Sequence, residues 1–202
     1  SRIFAQNPRA RIMHTSYSDE LVQKNSRNVR GVLTTEQFKQ AFPATRMAPD
    51  SFAKKHWNTT EGGEFHAVST SSAVTGFECG MDGDPFDGML IIDDPEKASG
   101  MSSAPYRSQM KDVAGQTIGT RLNHDDTPVL VIQQRTHPDD VSNWLMSGGT
   151  GDHWDVLCFA AISDTGRPPE HYREYSHANI IDYQIHTGAL WPERKPLDAL
   201  HR

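Results

Sequence analysis

The run of residues 89–95, Met-Leu-Ile-Ile-Asp-Asp-Pro, constrains the fold of this chain more than any other feature. Its four consecutive apolar residues predict a strand that is buried on both faces, as in a parallel α/β sheet. Two adjacent carboxylates, Asp93 and Asp94, end the strand, and Pro95 stops it because proline lacks a backbone donor. Carboxylates at the carboxyl ends of sheet strands can hold a magnesium ion and polarise a water, and two solvated turn residues after a core strand are the alternative interpretation.

Other apolar runs and helix-capping signals predict the remaining elements. We expect strands over 11–17, 64–70, 129–134 and 155–161, helices over 18–34 and 104–121, and a short helix that begins at Pro138. The stretches 42–58 and 166–202 are polar and are expected to be irregular, apart from a short helix near Pro196. Buried strands separated by helices favour one open, mostly parallel α/β sheet with helices on both faces.

Length, charge and cysteine content bound the class of protein. A chain of 202 residues is expected to form one domain. No apolar stretch approaches the ~18 residues of a membrane span, and Cys79 and Cys158 are far apart, so we expect a soluble protein of a reducing compartment. The net charge of −6 argues against bulk electrostatic capture of DNA or anionic lipid, but it allows a local basic surface.

A second polar strand end follows the first along the chain. Gln134 comes one strand–helix–strand crossover after Asp94, so the two side chains can lie at the tips of adjacent parallel strands. One or two carboxylates and nucleotide phosphates suffice to hold Mg²⁺ there. A second carboxylate can orient the attacking water, and a polar side chain on the neighbouring strand can sense the γ-phosphate. This is the arrangement of an additional-strand P-loop ATPase.

A set of short strings then resembles, in order, the large terminase subunit of tailed bacteriophages, the motor that packages DNA. The main strings are SYSDEL at 16–21, LIIDDP at 90–95 and QRTHPDD at 134–140, and further matches are WNTT at 57–60, AVTG at 73–76, TRL at 120–122 and LWPER at 190–194. The resemblance covers nearly the whole chain, from just after the family's Walker A helix to near the end of its ATPase domain. The ordered set is specific, whereas no single string is.

The resemblance implies roles for individual residues. Asp93 corresponds to the Walker B ligand of Mg²⁺, and Asp94 to the catalytic carboxylate, with Glu96 a weaker candidate for the same task. Gln134 corresponds to the coupling motif, where its amide could contact the γ-phosphate or the lytic water and pass the change to Arg135 and His137. The implied cofactors are therefore ATP and Mg²⁺.

Two departures from the family's pattern concern the phosphate site and the nuclease. No Gly-x-x-x-x-Gly-Lys-[Ser/Thr] string occurs in these residues, and no nuclease domain is present. The family's sheet order would place the missing P-loop strand between the strand that ends at Gln134 and the one that ends near Ala161. We therefore interpret residues 1–202 as one partial ATPase domain of a longer protein, which alone should not hydrolyse ATP efficiently.

A third departure concerns the arginine that a neighbouring subunit would supply. Many terminases carry Thr-Gly-Arg ahead of Walker B, where this chain has Thr75, Gly76 and Phe77. Arg121 and Arg135 are the remaining candidates. For each, a helix-end or strand-end arginine that pairs with a nearby carboxylate is an equally good interpretation.

The resemblance implies a function and a set of partners. A completed domain would couple MgATP hydrolysis to moving double-stranded DNA into a procapsid, in the host cytoplasm, together with the portal protein, a small terminase subunit and like subunits in a ring. A non-catalytic remnant or assembly module of the same fold is the first alternative. A metal-dependent phosphohydrolase is the second, because His137, Asp139 and Asp140 follow Gln134 closely and such sets occur in two-metal hydrolases.

Overall fold

The computed structural model describes residues 1–51, 53–70, 72, 76–81, 86–164, 174–181, 187–195 and 197–200. The chain divides into two compact units, Ser1–Val141 and Ser142–Arg202. No helix in the described ranges is both long and apolar enough to cross a membrane.

The first unit is built on a five-stranded, mostly parallel sheet, as the sequence predicts. Its strands are β1 (Arg11–Ser16), β2 (His56–Asn58), β3 (Glu64–Ser69), β4 (Gly88–Asp93) and β5 (Val129–Ile132). Their order across the sheet is β2-β3-β1-β4-β5, and only the edge strand β2 runs antiparallel to its neighbour. The carboxyl ends of β1, β4 and β5 therefore lie on the same side of the sheet. Ligands bind beyond these carboxyl ends in open α/β sheets.

The α-helices that accompany these strands are α1 (Arg2–Gln6), α2 (Asp19–Leu33), α3 (Glu36–Ala41), α4 (Ala104–Arg121) and α5 (Val141–Met146). Helix α1 precedes β1, α2 and α3 connect β1 to β2, α4 connects β4 to β5, and α5 follows β5. The predicted starts of α2 and α4 are confirmed, because the hydroxyls of Ser18 and Ser103 accept hydrogen bonds from the backbone N–H of Leu21 and Tyr106, at 3.3 and 3.4 Å.

One face of the sheet packs against α1, α2 and α3. Trp57, on β2, is fully buried and lies between the rings of Phe4 and Phe65, with ring centroids 5.3 and 5.0 Å away. Its indole N–H donates to the hydroxyl of Ser26 on α2 at 3.0 Å. The buried side chain of Trp57 therefore attaches the edge strand β2 to the core. This strand lies in the stretch 42–58, which we expected to be irregular.

The second unit contains two small sheets. Strand β6 (Trp154–Leu157) pairs in parallel with β8 (Ala178–Ile181), β7 (Ile162–Ser163) pairs antiparallel with β9 (Gly188–Ala189), and α6 spans Leu197–Leu200. The strand predicted over 155–161 is thus shorter than expected, and it pairs with β8 and not with the five-stranded sheet. Strand β8 lies inside the stretch 166–202, which the sequence suggested was irregular.

The short helix predicted to begin at Pro138 begins at Val141. Residues 138–140 form a turn, in which the backbone N–H of Asp139 donates to Nδ1 of His137 at 2.9 Å. The side chain of Asp140 turns back to Arg135, with Nε–Oδ2 2.6 Å.

Candidate functional site

The candidate site lies where β4 and β5 end side by side. Asp93 and Ile132 are partners in the parallel register, and the backbone N–H of Asp94 donates to the carbonyl of Ile132 at 2.8 Å. The predicted adjacency of the two strands is therefore confirmed, and it brings Asp93, Asp94 and Gln134 to one edge. The side chain of Gln134 is exposed there.

Asp94 is held in an uncommon backbone conformation. Its φ is +44°, in the left-handed region that non-glycine residues rarely occupy, and it precedes Pro95, which further restricts its backbone. Its carbonyl accepts from the N–H of Tyr17 at 3.0 Å, and its Oδ1 accepts from the N–H of Gln134 at 3.2 Å. Such strain persists only where surrounding contacts fix it, and it is concentrated at functional sites. Here the contacts aim one carboxylate at the end of the neighbouring strand.

Asp93 takes part in a separate polar network on the α2 side of the sheet. Its Oδ2 accepts from Nδ2 of Asn25 at 3.1 Å and lies 3.5 Å from Nε2 of His14. Burial lowers the pKa of His14, and this effect outweighs the opposing influence of Asp93. The lowered pKa favours the neutral form of the His14 imidazole beside Asp93.

His14 and Asn25 are site residues that we did not single out from the sequence. His14 interrupts the otherwise apolar half of β1, and Asn25 lies three residues after Val22 and four before Val29, on the apolar stripe of α2. A polar side chain on an apolar face is a usable signal, because a buried polar group needs a partner. The identity of that partner depends on tertiary packing.

Glu96 is engaged in structural contacts. It is buried, and its Oε2 accepts hydrogen bonds from the backbone N–H of Val141 and from the side-chain amide of Gln133. Burial raises the pKa of Glu96 against the opposing effect of these hydrogen bonds. The carboxylate thus links the loop after β4 to the segment after β5 and does not share the environment of Asp94.

Arg135 lies close to the site but is paired with a fully buried acid. Its Nε is 2.6 Å from Oδ2 of Asp140, whose exposed fraction is 0%. This contact supports the structural role that the sequence also allowed for Arg135.

Arg121 lies near the amino-terminal ends of the parallel strands, whereas Asp93 lies at the carboxyl end of β4. Its carbonyl accepts from the N–H of Cys79 at 2.7 Å, and Gly80 donates to the carbonyl of Arg11, the first residue of β1, at 3.1 Å. A six-residue strand spans roughly 20 Å. Arg121 is therefore too far from Asp93 to act on the same nucleotide in its own chain.

The acids after Gln134 are paired with cations. Asp139 accepts from Nε of Arg107 at 3.1 Å and from the ammonium of Lys111, while Asp140 pairs with Arg135. Among the described residues, the ligand atoms of His137 and of two further histidines or acids do not come close enough together to hold a metal ion. Of the Thr75–Phe77 string, Thr75 lies outside the described residues, and Phe77 is buried.

The comparisons with known proteins are sparse. No model of a known protein family matches the sequence, and no curated protein matches it. Among solved structures, the crystal structure of the HK97 bacteriophage large terminase is similar to this chain, with a TM-score of 0.41 and 12% sequence identity. The similarity covers 77% of this chain and 29% of that chain, so this chain spans less than a third of the matched structure.

Proposed function

We propose that this chain is the larger part of an ATPase domain in a terminase-type motor that couples MgATP hydrolysis to the movement of double-stranded DNA into a procapsid. The ordered motifs of the sequence support this proposal. The single observation that carries it is the geometry of Asp94, whose strained backbone and hydrogen bond to Gln134 join two adjacent strand ends.

In the proposed site the two acids have different tasks. Asp93 holds Mg²⁺, directly or through a water, because Mg²⁺ prefers hard oxygen ligands and keeps part of its hydration shell. Asp94 orients the water that attacks the γ-phosphate, and the exposed amide of Gln134 detects whether that phosphate is present. Because Asp94 also binds the backbone of Gln134 at 3.2 Å, a change at the phosphate is passed to β5.

The phosphate cradle would come from a further strand next to β5. Within the described sheet, β5 pairs only with β4, so one of its edges is open. Leu130 and Ile132 are 42% and 49% exposed, and they are in register with Ile91 and Asp93 on β4. A strand and helix that carry a P-loop would cover these apolar side chains and bring the phosphates to Asp93 and Asp94.

The proposed partners are DNA, the portal protein, a small terminase subunit and further copies of this chain in a ring, acting in the host cytoplasm. Arg121 fits this scheme only as a trans-acting residue, because it lies near the amino-terminal ends of the strands and Asp93 lies at the carboxyl end of β4. An arginine supplied in trans typically contributes about 10³–10⁵-fold to turnover.

The test uses the full-length protein as its gene encodes it. ATPase rate and nucleotide binding are measured with and without Mg²⁺, for the native sequence, for Asp93→Asn and for the exposed control Asp125→Asn. We expect Mg²⁺-dependent hydrolysis that Asp93→Asn abolishes and Asp125→Asn preserves. Full-length protein that neither binds nor hydrolyses MgATP would contradict the proposal, as would normal turnover in Asp93→Asn.

A non-catalytic assembly module is the second candidate, and one observation favours it. Asp93 already accepts a hydrogen bond from Asn25, so this acid has a structural task even without a metal. Under this alternative, Asp93→Asn lowers stability, and the full-length protein shows no Mg²⁺-dependent nucleotide binding. The pairing of Asp139 and Asp140 with Arg107, Lys111 and Arg135 gives no comparable support to a metal-dependent phosphohydrolase.

A further inference from the structure

A group of two histidines and one glutamate lies on strands β2 and β3, away from the acids that end β4. His56 and His66 are direct partners in the antiparallel register, and Glu64 lies two residues before His66 on the same face of β3. Phe65 and Ala67, which alternate with them, belong to the buried core. The three side chains therefore lie together on the face of the sheet opposite that core.

The potential ligand atoms lie close to one another. Oε2 of Glu64 is 3.3 Å from Nε2 of His56 and 3.5 Å from Nε2 of His66, and one ligand atom of each residue lies within 4.8 Å of the other two. In a tetrahedral zinc site with bonds of about 2.1 Å, neighbouring ligand atoms are about 3.4 Å apart. Two of the three separations thus match a tetrahedral edge without any movement of the backbone.

The surroundings fix two of these side chains. Oε1 of Glu64 lies 3.4 Å from Nε of Arg11, which leaves Oε2 directed at the histidines. The ring of His66 stacks on buried Phe77 with centroids 3.8 Å apart, and the buried Nε2 of His66 has no hydrogen-bond partner. The carboxylate of Glu64 thus has one oxygen in an ion pair with Arg11 and the other beside the two histidines, and outer contacts of this kind orient metal ligands.

We propose that Nε2 of His56, Oε2 of Glu64 and Nε2 of His66 bind a divalent transition-metal ion, with Zn²⁺ the best match and solvent as the fourth ligand. Two imidazoles and one carboxylate suit Zn²⁺, whereas Mg²⁺ and Ca²⁺ prefer oxygen ligands alone. The side chain of His56 is 48% exposed, so water can reach the fourth position. This site is separate from the proposed Mg²⁺ site at Asp93.

The structural consequence concerns β2. In the described sheet this three-residue edge strand is bonded only to β3. A metal shared by His56 on β2 and by Glu64 and His66 on β3 would fasten the edge strand to its neighbour. Because a ligand that binds only the folded state stabilises it, we expect Zn²⁺ at about 100 times its Kd to raise Tm by about 5–10 °C.

The experiment titrates the chelator-treated chain of 202 residues with zinc sulfate by calorimetry, and repeats the titration in millimolar Mg²⁺. We expect one Zn²⁺ per chain, with an affinity that Mg²⁺ does not change. His56→Ala should weaken binding by more than about 100-fold, since loss of an outer-shell partner alone costs about 10–100-fold. The matched control is His124→Ala, which removes an exposed histidine outside the cluster and should bind like the native chain.

Glu64→Gln provides a second variant, because it keeps the size of the side chain and removes its charge. We expect it to weaken zinc binding while circular dichroism shows a native fold. Absence of stoichiometric zinc binding would overturn the proposal, and so would native affinity in His56→Ala or equal competition by Mg²⁺. None of these results bears on ATP hydrolysis, so the two proposals fail separately.

Discussion

The pairing of Arg135 with Asp140 leads to a prediction that separates a structural role for Arg135 from a catalytic one. Arg135→Gln leaves the carboxylate of Asp140, which is 0% exposed, without its 2.6 Å ion pair. With an effective dielectric of about 20, the lost attraction is roughly 6 kcal/mol, and breaking a buried pair costs about 3–5 kcal/mol after relaxation. Because the side chain of Arg135 is 27% exposed, we expect the lower end of that range.

The assay is equilibrium unfolding in urea, followed by circular dichroism and tryptophan fluorescence. A loss of about 3 kcal/mol lowers the midpoint by about 1–3 M. The exposed Arg27 on α2 provides the matched control, and Arg27→Gln should leave the free energy of unfolding within about 0.5 kcal/mol of the native value. The double variant Arg135→Gln/Asp140→Asn should be more stable than Arg135→Gln alone, because a neutral amide replaces the buried carboxylate that has lost its arginine. Native stability in Arg135→Gln, or no recovery in the double variant, would refute the reasoning.

Three further predictions concern the buried groups. Because burial raises the pKa of Glu96, the stability that protonated Glu96 provides is complete below the ordinary glutamate pKa and is lost as pH rises through the raised value. The free energy of unfolding of Glu96→Gln should therefore increase relative to the native chain as pH rises from about 4 to about 7, and a difference independent of pH would contradict this. Cys79 is fully buried, and burial raises its pKa to about 12, so iodoacetamide at about pH 8 should label the partly exposed Cys158 and spare Cys79 in the folded chain; mass spectrometry of labelled peptides checks this, and equal labelling would be inconsistent with the fold. Trp57→Ala should lower the free energy of unfolding by about 3–5 kcal/mol, because it opens a cavity between Phe4 and Phe65, whereas a loss below about 1 kcal/mol in urea unfolding would show that β2 is not part of the core.

Local signals in the sequence were sufficient for the elements that lead to the candidate site. Strand β4 follows from its continuous apolar run, and α2 follows from Ser18, whose hydroxyl caps it. The adjacency of β4 and β5 follows from the short crossover between them. These features depend on neighbouring residues, and periodicity and capping report on such features directly.

Features that depend on distant residues could not be predicted in this way. Strand β2 has three residues within a polar stretch and exists because Trp57 packs into the core. Strand β6 pairs with β8, which begins more than twenty residues later. The left-handed backbone of Asp94 depends on contacts from Tyr17 and Gln134, each about forty or more residues away in sequence.

The most direct test of the ATPase proposal is the effect of Asp94→Asn on nucleotide binding and hydrolysis by the full-length protein. Asparagine keeps the acceptor for the N–H of Gln134 and tolerates the left-handed backbone, so the fold should survive. We predict that MgATP affinity stays within about threefold of the native value while turnover falls by about 10²–10⁴-fold, the range expected when a proton-transfer or water-orienting group is lost. Native turnover in Asp94→Asn would contradict the proposal that Asp94 orients the attacking water.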